Sequence, residues 1–100
     1  MSAKKLAENG LSLTKDLLVA NKLGIHARPA AMFVKTANRF SCDIFVEKDG
    51  ETVNGKSIMG VMMLAAECGS EVIIRADGDE ADAALDAIAT LIAGKFGEPR

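Results

Sequence analysis

Residues 42–56 read CDIFVEKDGETVNGK. Cys42, Ile44 and Val46 alternate with Asp43, Phe45 and Glu47, the period of two expected of a strand with one buried face. Asp49-Gly50 accepts the left-handed angles of a tight two-residue turn, so residues 51–54 are read as a short return strand. A hairpin with one apolar face must be covered by a second layer.

Toward the C-terminus, Asn54-Gly55 punctuates, and residues 57–65 read as one short helix interrupted by Gly60. In SEVIIRADG, residues 70–78, Val72, Ile74 and Ala76 share one face and Ile73, Arg75 and Asp77 the other, which predicts the last strand. From about Glu80, the residues Ala81, Ala84, Leu85, Ile88, Leu91 and Ile92 keep helical spacing to Ala93, and Gly94 is a plausible stop. Toward the N-terminus, Ala30, Phe33, Val34, Ala37 and Phe40 predict an amphipathic helix over residues 27–39. It follows a turn at Asn21-Lys22-Leu23-Gly24 and a first strand in TKDLLVAN, residues 14–21. The order is strand, helix, strand, strand, helix, strand, helix. The economical architecture is an α+β two-layer sandwich, an antiparallel sheet with its helices on one face.

Three segments are expected: an N-terminal extension over residues 1–13, loosely ordered or a short added helix; a folded domain over 14–96; and a C-terminal tail over 97–100. At 100 residues the chain fits one compact domain. Twelve basic and fourteen acidic residues give a net charge of −2, and there is no tryptophan or tyrosine, which argues against nucleic-acid binding. No apolar run approaches the roughly 20 residues of a spanning helix, and the N-terminus does not read as a secretion signal. A cytoplasmic protein without direct membrane insertion is expected. Cys42 and Cys68 are too far apart for a metal or redox pair and are read as reduced, half-buried thiols; no metal and no cofactor are expected.

The single histidine stands in NKLGIHARPAAMFV, residues 21–34, just where the first helix begins. At that position the first backbone N–H groups lack partners and the helix dipole is positive, so an anion is welcome. A neutral imidazole is a competent nucleophile near neutral pH and can attack phosphorus. Arg28 offers a planar fork suited to phosphate oxygens, and the N–H groups of Ala27 and Arg28 face the same spot. A histidine at a helix start is also often only a surface residue or an indifferent cap, and the local chemistry leaves both readings open. No third group that would orient a Cys-His nucleophile suggests itself.

Ser57, in NGKSIMGVMML, suits the N-cap of the short helix and would also tolerate a phosphate there. Ile58, Met59, Val61, Met62 and Met63 exceed what one face of that helix can bury. Val61, Met63 and Leu64 are read as core, and the others as an adaptable apolar patch.

Together, LGIHARPAAMFVKTA and VNGKSIMGVMML resemble the active-site and regulatory-serine segments of the HPr family, the histidine-containing phosphocarriers of the bacterial phosphoenolpyruvate-dependent sugar phosphotransferase system. The resemblance runs from about Thr14 to Phe96. It implies a four-stranded antiparallel sheet in the order 1-4-2-3 within a βαββαβα fold. It further implies a stoichiometric carrier rather than a turnover enzyme: His26 takes a phosphoryl group on Nδ1 from enzyme I and hands it to IIA domains of sugar permeases, with Arg28 neutralising the phosphate. By motif alignment, partners would dock on Ala27, Ala31, Ile58, Met59 and Met62. Ser57 would be the site of an HPr kinase/phosphorylase. The alternative reading is a regulatory binding protein, in catabolite repression or a nitrogen-related branch, that signals through its phosphorylation state to a partner such as a transcription regulator. A monomer is expected.

Overall fold

The computed structural model describes residues 2–7 and 10–100. Strands β1 (Ser2–Ala7) and β2 (Gly10–Leu18) precede helix α1 (Ala27–Ala37). The hairpin β3 (Asp43–Lys48) and β4 (Glu51–Asn54) follows, then helix α2 (Ile58–Met63), strand β5 (Glu71–Asp77) and helix α3 (Ala81–Ala93). A 3-10 turn, Lys95–Gly97, follows and leads into residues 98–100.

All strand pairs are antiparallel, in the order β1-β2-β5-β3-β4. Without β1 this is the expected 1-4-2-3 sheet, with the three helices on one face. The hairpin turns where expected, with Asp49 at φ 52° and Gly50 at φ 83°. Cross-strand neighbours Val46 and Ile74, and Ile44 and Ala76, place the alternating apolar positions on one face. That face meets Ala30, Phe33 and Ala37 of α1 and Ala84, Ile88 and Ile92 of α3 in one buried core.

The N-terminal segment departs from its reading. Residues 2–7 are neither loosely ordered nor helical but form β1, paired with β2 from Ser2 opposite Lys15 to Ala7 opposite Gly10. Met1, Glu8 and Asn9 lie outside the described residues. The sequence SAKKLA has no β-branched or aromatic residue, so its strand propensity is weak. Its pairing satisfies main-chain donors and acceptors along the β2 edge instead. The strand β2 accordingly starts before residue 14 and ends at Leu18, while Val19 bonds to the turn before β5 through Ser70 O at 2.9 Å and Gly69 N at 2.8 Å.

Both cysteines are free, but neither is half-buried: Cys42 is in the core and Cys68 is exposed. Burial raises the Cys42 thiol above its ordinary pKa, against a smaller opposite pull from Lys56. Among the described residues no helix is long and apolar enough to cross a membrane.

Candidate functional site

Asn21, Gly24 and Ile25 build the platform for the histidine. The Asn21 side chain is fully buried and donates through Nδ2 to Gly24 O at 2.7 Å. Gly24 sits at φ +70°, and a Cβ there would lie 2.4 Å from Ala66 O. No other residue type fits without moving the chain. Ile25 N then donates to Ala66 O at 2.8 Å, pinning the loop to the segment after α2.

His26 is the N-cap of α1, with an extended backbone, and its side chain does not cap the helix. The first helical bond runs from Ala30 N to His26 O at 2.9 Å. Ala27 and Arg28 therefore carry the orphan N–H groups of the first turn, while Pro29, third in the helix and buried, has none to lose. Ala27 and Arg28 are exposed. The expected grouping of His26, Arg28 and open backbone donors is present within one turn.

One neighbour of the histidine was not singled out from the sequence. His26 Nε2 lies 2.9 Å from Glu98 Oε2, and Asn21 Nδ2 donates to Glu98 Oε1 at 2.8 Å. The Glu98 carboxyl is held below its ordinary range, chiefly by the Asn21 bond and then by the His26 bond and the nearby Arg28 cation; desolvation opposes them. Lys22, Leu23, Arg28, Glu98, Pro99 and Arg100 line an open cleft of about 400 Å³, of which His26 is not a lining residue. Glu98 belongs to the tail over residues 97–100, whose sequence pattern points to no role. A lone phenylalanine in GKFGEPR was the available signal: Phe96 is 2% exposed and anchors the turn that returns Glu98 to His26.

Ser57 is the N-cap of α2, and its Oγ accepts from Gly60 N at 3.1 Å. Among the described residues no hydrogen bond joins it to His26 or Arg28. The helices α1 and α2 pack against each other, and Ala27, Ala31, Ile58, Met59 and Met62 are all exposed. Met63 is a correction: it is 68% exposed, whereas Val61 and Leu64 are buried as expected. A six-residue helix buries only one narrow strip, which Val61 fills, and Leu64 at the C-cap is buried next to it. Leu23, at 72% exposure, extends the same kind of apolar surface next to the histidine loop.

Fold and site together define a small α+β domain that displays a histidine at the open end of its first helix, flanked by an arginine and a buried-anchored carboxylate. The model of the PTS HPr component phosphorylation site family matches residues 13–94. The phosphocarrier protein HPr of Cupriavidus necator is 45% identical over 86 residues, 86% of this chain and 97% of that protein. The HPr-like protein Crh of Bacillus subtilis is 52% identical over 71 residues, 71% of this chain and 84% of that protein. A crystal structure of Crh, described as a swapped, intertwined dimer, aligns with a TM-score of 0.68 at 50% identity over 74% of this chain and 85% of that one. The crystal structure of HPr-C-His from Thermoanaerobacter tengcongensis aligns with a TM-score of 0.84 at 48% identity, covering 87% of this chain and 98% of that chain. The chain belongs to the HPr family, the phosphocarrier component of the phosphotransferase system.

Proposed function

We propose that the protein is a stoichiometric phosphoryl carrier in which His26 takes a phosphoryl group from phosphoenolpyruvate-charged enzyme I and passes it to IIA components for sugar uptake. The observation that carries this reading is the state of the imidazole: Nε2 is engaged by Glu98, and Nδ1 is the ring nitrogen left for chemistry. Around it, Arg28 and the orphan N–H groups of Ala27 and Arg28 supply the counter-charge and donors that a phosphoryl group with about two negative charges requires. Nδ1 attacks phosphorus, the bond from phosphorus to the donor breaks, and the phosphoramidate rests until an acceptor repeats the exchange. Nothing is turned over, so the protein is a substrate of its neighbours rather than an enzyme.

Ala27, Ala31, Ile58, Met59 and Met62 form the docking face in this reading, joined by Met63 and Leu23. Their unbranched or small side chains repack against different partners at little cost. A monomer working in the cytoplasm presents this face freely. Ser57 stands at its edge, and a phosphate there would set negative charge against whatever partner covers Met59.

Incubation of the full chain with enzyme I and labelled phosphoenolpyruvate should load one acid-labile phosphate. Loading that survives His26→Ala would contradict the reading.

The likeness to Crh favours a second reading, in which phosphorylation of Ser57 by an HPr kinase/phosphorylase is the working event and the recipient is a transcription regulator. It predicts that Ser57→Ala abolishes signalling while His26→Ala leaves it intact.

A further inference from the structure

We propose that Glu98 is a positioning residue for His26: it holds the ring proton on Nε2, so that Nδ1 presents its lone pair, and it opposes the positive charge the ring acquires when phosphorus is bound. The proposal rests on the reading of His26 as phosphoryl acceptor for its consequence, but the state of the ring can be measured without any phosphate.

The carboxylate is fixed from three sides. Oε2 meets His26 Nε2 at 2.9 Å and Oε1 accepts from Asn21 Nδ2 at 2.8 Å. Asn21 cannot yield, because it is fully buried and the same Nδ2 group donates to Gly24 O at 2.7 Å. Both its acceptors are oxygens, so the amide orientation is determined, and Glu98 is an acceptor at both ends. Behind it, Lys95, Phe96 and Gly97 are all left-handed, at φ 58°, 55° and 76°. Two of these are not glycine, an arrangement that persists only where the surroundings demand it. Here the demand is Phe96 in the core, with Gly97 N donating to Gly94 O at 3.0 Å and Glu98 N to Lys95 O at 2.9 Å. The chain is bent back to bring one carboxylate to one imidazole nitrogen.

An acceptor at Nε2 selects the neutral tautomer protonated there. When Nδ1 attacks, its lone pair forms the N–P bond, and the electrons of the breaking bond leave with the donor. The ring then carries phosphorus on Nδ1, hydrogen on Nε2 and one positive charge, beside the Glu98 carboxylate. On discharge the N–P electrons return to Nδ1, and the ring is again neutral with hydrogen on Nε2. No proton has to move in either direction, which suits a group that must load and unload. Opposite charges are met on opposite sides: Arg28 and the first-turn N–H groups take the phosphate, Glu98 the ring. It is the arrangement by which a carboxylate orients histidine in a hydrolytic triad, transferred to a histidine that is itself the nucleophile.

The test exploits Asn21. In Glu98→Gln the new amide is isosteric, but its oxygen must face the fixed Asn21 donor, which turns its NH2 toward Nε2. The proton is then driven to Nδ1 and the nucleophilic lone pair is lost. A merely structural role would make this the mildest substitution; the proposal makes it the most harmful. With 15N-labelled histidine, two-bond ring correlations on the full chain should show the Nε2–H tautomer in the native protein, the Nδ1–H tautomer in Glu98→Gln, and a mixture in Glu98→Ala. Single-turnover loading by phosphorylated enzyme I should slow about tenfold or more in Glu98→Gln and less in Glu98→Ala, with half-saturation unchanged. Retention of the Nε2–H tautomer in Glu98→Gln, or faster loading in Glu98→Ala, would overturn the proposal. If the tautomers move as stated and no variant loads, the positioning stands and the carrier reading fails.

Discussion

Two helix N-termini in this molecule begin in the same way and end up chemically opposite. α1 and α2 each follow a tight turn, and each is capped by a residue with extended backbone, His26 and Ser57. Ser57 turns its oxygen back onto Gly60 N and satisfies a donor of its own helix. His26 turns its ring away to Glu98 and leaves the α1 donors open. A satisfied cap is stable and has nothing to offer an anion; an open cap gives up some stability and keeps a ready-made phosphate site. The same position in two helices thus separates an open cap, which under the proposed function receives the phosphoryl group, from a cap whose side chain already bonds its own helix.

The contrast can be broken by substitution, and the expected effects differ in size. Under the proposed function, His26→Ala should end loading by enzyme I and labelled phosphoenolpyruvate altogether. Gly24→Ala forces a Cβ against the Ala66 carbonyl at a left-handed position, which should cost about 2 kcal/mol or more of unfolding free energy and loosen the loop that presents His26. A denaturant titration reads it. Arg28→Ala removes an exposed cation from the open end. Loading should slow about tenfold, the equivalent of one hydrogen bond to a charged group, while the denaturation midpoint stays put. Ser57→Ala should do the reverse: a loss of about 1 kcal/mol in stability from the missing cap, with loading of His26 unchanged. A loading defect in Ser57→Ala, or a stability defect in Arg28→Ala, would erase the distinction between the two ends.

Much of this was legible because it is written in local periodicity. The alternation through Ile44 and Val46, the Asp49-Gly50 turn, and the recurrence of Ala30, Phe33, Val34 and Ala37 each specify one element and its buried face. Ser57 and Gly60 lie three residues apart, so the cap could be read directly from the sequence. The resemblance to HPr phosphocarriers supplied the strand order, which periodicity does not contain. What stayed hidden depends on distant parts of the chain. β1 is held by main-chain pairing to β2, and its side-chain pattern announces nothing. Met63 points outward because Val61 already occupies the strip that a short helix can bury and the C-cap Leu64 takes the next buried place. Glu98 reaches His26 across 72 positions of sequence through a turn with three left-handed residues, and nothing periodic marks it. The tail gives no signal of this in its own sequence beyond Phe96, which is buried and sets the turn that carries Glu98 to His26.

The account is tested most directly by comparing backbone amide chemical shifts of the full chain before and after loading by enzyme I and phosphoenolpyruvate. A phosphoryl group on His26 cradled by the open end of α1 should move the amides of Ala27 and Arg28 most, and leave Gly60, already bonded to Ser57, nearly where it was. Shifts centred on residues 57–60 with Ala27 and Arg28 unmoved would contradict it.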